Sequence, residues 1–138
     1  MSGIVRKDLK IDFWQAPEGV KVTPKMIRMF VHLRIHTEFS VIDGTNRIDE
    51  IVAAAAANQQ PALAITDLSN LFGTVKFYKQ ARGKGVKPLI GADVWVEVPG
   101  KDASAPAARL LLLVQDRRGY LNLSELLTRA WTKNVVRD

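Results

Sequence analysis

The chain has 138 residues, with 20 Lys or Arg against 14 Asp or Glu, for a formal net charge of +6 at pH 7. This length is enough for one domain with a hydrophobic core. The absence of cysteine excludes disulfides and thiolate zinc sites and favours a cytosolic protein. No run approaches the roughly 18 consecutive apolar residues of a membrane span, and the basic N-terminus lacks the apolar stretch of a signal peptide.

Residues 1–28 differ in character from the rest of the chain. They hold six Lys or Arg against three acidic residues and show no sustained period of 2 or 3.6. Two aromatic residues, Phe13 and Trp14, could pack this stretch against the domain. We interpret 1–28 as an extension of unclear role and 29–138 as the domain itself.

After the extension, apolar runs of strand length alternate with stretches of helical period. The first strand is predicted over about 30–35, followed by a turn at 42–44. A helix is predicted over about 47–58, with Thr45 or Asn46 as its N-cap residue. Its apolar positions at helical spacing are Ile48, Ile51, Val52 and Ala55.

The next two elements are a buried strand over 62–66 and a helix over about 70–84. Glycines at 83 and 85 stop this helix. One apolar stripe of the helix is predicted to carry Leu71, Val75 and Tyr78.

A third strand begins at 88–91 and extends to Val98, and a loop over 99–107 separates it from an apolar strand at 109–115. The last helix is predicted over about 117–132, with an apolar side formed by Leu121, Leu123, Leu126, Leu127 and Trp131. Alternation of this kind is typical of parallel α/β architecture, either an open doubly wound sheet or a barrel.

The chemically informative residues follow the strands. Arg34 and His36 are two residues apart, so both side chains leave the same face of a strand, and the same alternation places His32 there. A histidine at both positions would make a pair of metal ligands, but a guanidinium has no lone pair to offer a cation. His36 is therefore interpreted as a core or cleft histidine bonded to a carboxylate, with a metal ligand as the less favoured alternative, and His32 as structural.

Three carboxylates also come after strands: Asp43, Asp67 and Asp93. In parallel α/β proteins the carboxyl ends of strands meet at one edge, so these side chains are expected to converge with Arg34 and His36. Asp67 has two interpretations, as a former metal ligand or as the N-cap of the following helix.

Four segments resemble a known family in collinear order. Together they are similar to the N-terminal polymerase and histidinol phosphatase (PHP) domain of bacterial replicative DNA polymerase III alpha subunits. The segments are 30–44, 61–78, 85–96 and 115–131. Metal-competent members of that family read His-x-His in the first motif and Thr-Asp-His in the second. This chain has Arg34 and Leu68 at two of those histidine positions, and Asp93 where many members have Glu, losses that resemble the members regarded as catalytically silent.

The resemblance implies a partial domain, about half of a distorted (β/α)₇ barrel, at the head of a much longer DNA-directed DNA polymerase. It implies no catalytic residue, no bound metal and no cofactor. What remains is a vestigial cleft formed by Arg34, His36, Asp43, Asp67, Leu68 and Asp93. We expect the Arg34 guanidinium to replace a cation by bonding to Asp43 and Asp93. A half-barrel leaves strand edges unpaired, so self-association is also expected.

The favoured function is a non-catalytic cytoplasmic scaffold in DNA replication. Its expected partners are the remainder of the alpha subunit and a proofreading exonuclease, with DNA reached indirectly through the holoenzyme, and no membrane. One alternative is a metal-dependent phosphoesterase, either a 3′-5′ exonuclease or a pyrophosphatase. The other is a nucleic-acid-binding module. It would use the basic group Lys76, Lys79, Arg82, Lys84 and Lys87, although this group is more typical of a solvated helix end.

Overall fold

The computed structural model describes residues 30–97 and 107–133. The predicted extension at 1–28 and nearly all of the predicted loop at 99–107 lie outside these residues. The helices and strands, in chain order, are α1 (Ile48–Ala57), β1 (Ala62–Ile65), α2 (Thr74–Gly83), β2 (Lys87–Val96), β3 (Ala108–Leu113) and α3 (Arg117–Thr132). The predicted α/β class with alternating β and α units is confirmed.

The three strands form one sheet in the order β1-β2-β3, with β1 parallel to β2. The predicted first strand lies beside β1, but residues 30–36 do not form a regular strand. Two backbone hydrogen bonds help to hold this extended segment: the Ala64 N–H donates to the His32 carbonyl at 2.9 Å, and the Thr66 N–H donates to the Ile35 carbonyl at 2.8 Å.

The last strand departs from the predicted parallel arrangement, because β3 is antiparallel to β2. In this register Trp95 faces Arg109 and Asp93 faces Leu111. A parallel return needs a crossover of about a dozen residues or more, and the connection from β2 to β3 is too short to hold the helix that normally provides one. The backbones approach closely at Gly91, where a Cβ would lie 2.4 Å from the Leu112 carbonyl oxygen.

All three helices pack on one face of the sheet. Strand residues of one alternation set contact them: Leu63, Ile65, Ile90, Ala92 and Val94. The opposite alternation set places Asp93 and Trp95 on the other face of β2. Helices on a single face fit a barrel, whereas an open doubly wound sheet carries helices on both faces. The structure therefore favours the barrel type of α/β packing.

The buried side of α2 differs from the predicted stripe. Thr74, Phe77 and Ala81 are buried, whereas Val75 and Tyr78 are exposed. The small side chains of Thr74 and Ala81 allow α2 to lie close to the alanine-rich α1, and Phe77 fills the space between them. The stripe prediction was wrong because two apolar stripes compete in this segment.

Two further sequence predictions need correction. Only Leu123 and Leu127 of the predicted apolar side of α3 are buried. The N-cap of α1 is Arg47, without a side-chain cap hydrogen bond, and Asn46 instead donates to the His36 carbonyl at 2.9 Å. Within the described ranges, no helix combines the length and apolarity that crossing a bilayer would need.

The orientation of α2 predicts a difference between two single substitutions. Phe77→Ala should lower the free energy of unfolding by about 3–4 kcal/mol, because it leaves a cavity between α1, α2 and the sheet. Val75→Ala, on the exposed side of the same helix, should change it by less than about 0.5 kcal/mol. Urea unfolding followed by circular dichroism measures both, and equal losses would contradict the orientation.

Candidate functional site: a cleft closed by ion pairs

The centre of the cleft is an ion pair between Arg34 and Asp93. Asp93 is 0% exposed, and its Oδ2 accepts the Arg34 Nε–H at 2.8 Å and Nη2–H at 2.6 Å. The guanidinium side chain is 53% exposed, so it covers the carboxylate from the solvent side. Charge-assisted bonds of this length are among the stronger interactions a protein makes.

His36 joins the two carboxylates of the cleft. Its Nε2 lies 2.9 Å from Asp93 Oδ2, and its Nδ1 lies 2.8 Å from Asp43 Oδ1. Both nitrogens donate when the ring carries a proton on each, and a doubly protonated imidazole adds a second positive charge between the carboxylates. His36 is thus the carboxylate-bonded cleft histidine that the sequence predicts.

Asp43 closes the cleft from the loop before α1. Its Oδ1 accepts the Ser40 hydroxyl at 2.7 Å, and its Oδ2 accepts the Arg109 Nη2–H at 2.7 Å. The Ser40 hydrogen bond is the largest cause that lowers the pKa of Asp43 from its ordinary value of 3.8 to about 2, with Arg109 and His36 acting in the same direction against desolvation.

Arg109 brings β3 into the site. Its guanidinium lies 4.6 Å from the centre of the Trp95 ring, directly across the strand pair, while it donates to Asp43. Stacking on an aromatic face restricts a guanidinium and adds a modest cation–π attraction. The β2-β3 hairpin and the loop before α1 are therefore tied together by a second arginine-aspartate pair.

Asp67 lies behind the cleft, where it anchors the chain after the extended segment. Its Oδ1 accepts the Thr37 backbone N–H at 2.6 Å, and its Oδ2 accepts the Thr37 hydroxyl at 2.8 Å. Burial raises the pKa of Asp67 above its ordinary value, although both Thr37 bonds act to lower it. The N-cap interpretation was wrong, because α2 begins at Thr74 after Gly73.

Leu68 fills the position beside Asp93 that the family motif gives to histidine. It is buried, and its N–H donates to the Ser40 hydroxyl oxygen at 3.1 Å. The following residue, Ser69, has a positive φ of 55° and donates its N–H to the Asp93 carbonyl at 2.7 Å. The chain therefore has a buried apolar residue at the position where the motif has a ligand nitrogen.

The arrangement of donors does not fit a divalent cation of the kind that metal-competent members of the family would hold. In the described part of the chain, no group of three or more His, Cys, Asp or Glu residues is placed to hold a metal ion. Three of the four carboxylate oxygens of Asp43 and Asp93 already accept protein hydrogen bonds. The fourth, Asp93 Oδ1, is buried without a partner among the described residues, and one oxygen does not make a coordination shell.

The structure brings together most of the residues that the sequence singled out. Arg34, His36, Asp43 and Asp93 form one connected cluster. His32 does not join it and instead packs edge-on against Phe30, with ring centres 4.6 Å apart.

Arg34 was expected to bond both Asp43 and Asp93, and this prediction is only half right. Ser40 and Arg109 were also not identified from the sequence as residues of the site. Arg34 bonds Asp93, whereas Arg109 and His36 bond Asp43. The S-x-x-D spacing of Ser40 and Asp43 is a local signal that could have identified the serine. Arg109 has no such signal, because its contact depends on the hairpin register.

The chain also matches the model of a known protein family. The family model described as "PHP domain" matches residues 32–137, more than half of the chain. The chain belongs to the PHP domain family. The predicted family resemblance is therefore confirmed, and the cleft lies within the matched region.

Relatives of this PHP domain include DNA polymerase III alpha subunits. The Pseudomonas aeruginosa protein is 47% identical over 104 residues, which covers 75% of this chain and 9% of the relative. The Neisseria meningitidis serogroup A protein is 48% identical over 102 residues, covering 74% and 9%. The Vibrio cholerae protein is 41% identical over 107 residues, covering 78% and 9%. The chain thus spans under a tenth of the length of these relatives.

Solved structures with the same fold are more distant in sequence. A metal-dependent phosphoesterase from Bifidobacterium adolescentis superposes with a TM-score of 0.57 at 19% identity, covering 75% of this PHP domain and 34% of that chain. An amidohydrolase from Chromobacterium violaceum with bound sulfate and no metal gives a TM-score of 0.55 at 23% identity, covering 71% and 32%. At these identities the likeness shows the fold alone.

Removing the guanidinium should destabilise the domain. Arg34→Met should lower the free energy of unfolding by about 2 kcal/mol, less than the 3–5 kcal/mol of fully buried pairs because Arg34 is half exposed. The double variant Arg34→Met/Asp93→Asn should recover part of that loss, because it leaves no unpaired carboxylate charge buried at position 93. Arg47→Met is the matched control, since its exposed pair with Asp49 measures 3.7 Å. Equal effects of Arg34→Met and Arg47→Met would contradict the pairing.

The lowered pKa of Asp43 predicts a specific pH dependence. Because the folded pKa of about 2 lies below the ordinary 3.8, ionised Asp43 adds stability that is present above about pH 4 and lost as the pH falls to about 2. The difference in unfolding free energy between the native chain and Asp43→Asn should therefore close across that interval. Urea titrations at stepped pH test this, with the exposed Glu97→Gln as control. A difference that is as large at pH 2 as at pH 5 would refute it.

Proposed function

We propose that this PHP domain is a non-catalytic scaffold that belongs to a replicative DNA polymerase alpha subunit. The main support for the proposal is the position of the Arg34 guanidinium. It occupies the cleft and donates hydrogen bonds of 2.6 and 2.8 Å to the buried Asp93. A protein cation in that position removes the need for a bound one and leaves no ion to activate water. Neither a resident metal nor a catalytic residue is part of the proposal.

The charge balance of the cleft supports this role. Arg34 and Arg109 each pair with one carboxylate, and His36 bridges the two, so the negative charge left by a lost metal site is compensated within the protein. The interactions connect the extended segment, the loop before α1, β2 and β3. In our proposal the cleft no longer catalyses a reaction and instead holds these segments together.

The relatives support the choice of assembly. Their shared name, DNA polymerase III subunit alpha, supports a place for this domain in DNA replication in the cytoplasm. Its partners in the proposal are the remainder of the alpha subunit and the proofreading exonuclease, for which the domain supplies a docking surface. Contact with DNA is then indirect, through the assembled polymerase.

The alternatives receive less support from the cleft and the surface. Phosphoesterase chemistry needs ligands that Arg34 and Leu68 do not provide. A nucleic-acid module would draw on the basic group around α2, but Lys76 is engaged with Glu38 at 2.6 Å. Neither alternative gains a specific observation in its favour.

Catalytic silence and docking can be tested with the same preparation. The chain should release no phenolate from p-nitrophenyl phosphate and no nucleotide from single-stranded DNA with added Mn²⁺ or Zn²⁺. It should co-elute in gel filtration with the proofreading exonuclease from the same organism. Hydrolysis that survives repurification and is abolished by His36→Ala would disprove the silent scaffold, and failure to co-elute would remove the docking role.

We also propose that the isolated chain self-associates through the free edge of β3. Leu110 and Leu113 are exposed on this strand, and no described residue pairs with its outer edge. Exposed apolar edge strands favour pairing with another chain, and a charge on the edge opposes it. Sedimentation velocity across a hundredfold concentration range should show reversible association that Leu113→Lys weakens and Ala53→Lys, on the outer side of α1, does not. A strictly monomeric chain at all concentrations would contradict this.

A further inference from the structure

The outer face of α2 carries large apolar side chains that the fold does not use. Phe72 is 74% exposed, Val75 is 64% exposed and Tyr78 is 46% exposed. At 100° per residue, the side chains of Val75 and Tyr78 fall with those of Lys79 and Arg82 within an arc of roughly 100°, and Phe72 lies in the turn just before the helix. The buried residues Thr74, Phe77 and Ala81 occupy the opposite side of the helix. We call the exposed set, Phe72, Val75, Tyr78, Lys79 and Arg82, the α2 outer face.

The neighbouring helix shows that the fold itself does not require such a surface. α1 packs beside α2 on the same side of the sheet, and its exposed residues are small or charged. They are Asp49, Glu50, Ala53, Ala54 and Ala57. A surface helix normally presents polar residues to solvent, and an exposed apolar cluster is typical of an interaction site. The α2 outer face thus differs from the exposed side of α1, which packs beside it.

Charge indicates the chemistry of what binds there. α2 contains three basic residues and no acidic residue. One of the three, Lys76, lies beside the outer face and is already paired with Glu38. Lys79 and Lys84 are exposed and form no ion pair within the described residues. An apolar strip beside unpaired ammonium groups is complementary to an apolar strip beside carboxylates.

One contact prepares the aromatic part of this surface for binding. The Arg82 guanidinium lies 5.7 Å from the centre of the Tyr78 ring, and its Nη1–H donates to the Tyr78 hydroxyl at 3.1 Å. A ring already held in one position loses less side-chain entropy when a partner covers it. Tyr and Arg are also among the residues that contribute most to protein interfaces.

We propose that the α2 outer face is a docking surface for an acidic amphipathic helical segment of a partner protein. The segment's apolar residues would cover Phe72, Val75 and Tyr78, and its carboxylates would lie beside Lys79 and Lys84. This proposal does not rest on the proposed function, because the surface is separate from the cleft and needs no property of the metal-site positions.

A pair of designed peptides tests the chemistry directly. The first carries leucines at i, i+3, i+4 and i+7 with glutamates at the remaining positions, and the second has the same leucines with lysines instead. Fluorescence anisotropy of the labelled peptides should show binding of the acidic peptide, weakened by added salt, and at least about tenfold weaker binding of the basic one. Equal binding of both peptides, or none of the acidic peptide, would overturn the proposal.

Variants locate the binding on the helix. Val75→Ser with Tyr78→Ser should weaken the acidic peptide at least about tenfold, and Lys79→Glu should also weaken it. The matched control, Ala53→Ser with Ala57→Ser on α1, should bind as the native chain does. Circular dichroism and urea unfolding establish that each variant is folded. Undiminished binding of the acidic peptide by the Val75/Tyr78 variant would overturn the assignment. Self-association of the native chain that only this variant abolishes would also overturn it, because the occupant would then be a second copy of the chain.

Discussion

A buried carboxylate with no exposed surface sets the main constraint on this molecule. Asp93 lies near the middle of β2, and burying a carboxylate is costly unless a positive group or hydrogen-bond donors compensate for the lost hydration. Here the Arg34 guanidinium and the His36 ring both approach the same oxygen, so three donors converge on it.

The rest of the site follows from how that centre is connected. His36 is hydrogen-bonded to Asp43, and Asp43 is in turn hydrogen-bonded to Ser40 in its own loop and to Arg109 on β3. Each link joins segments that are distant in sequence, so the cluster orders the loop before α1 against the hairpin. The electrostatic network therefore ties together segments that the two apolar clusters beneath the helices do not connect directly.

The order of helices and strands and most of the cleft residues could be predicted from the sequence, because both depend on local patterns. Periodicity located α1, α2 and α3, and the position of residues after strands located Arg34, His36, Asp43 and Asp93 together. The sequence could not predict that β3 runs antiparallel, nor that Arg109 meets Asp43, because both depend on register between segments. It also placed the wrong stripe of α2 inside, since hydrophobic spacing alone does not distinguish a core face from a second apolar face that a partner covers.

In our proposal, the protein's own cations take the place of a bound cation in the cleft. Crystals of the chain soaked in MnCl₂ and measured at the manganese absorption edge test it most directly. The account predicts no anomalous peak between Asp43 and Asp93, with the Arg34 guanidinium bonded to Asp93 as it is without manganese. A strong peak coordinated by these two carboxylates and His36, with Arg34 displaced toward solvent, would contradict it.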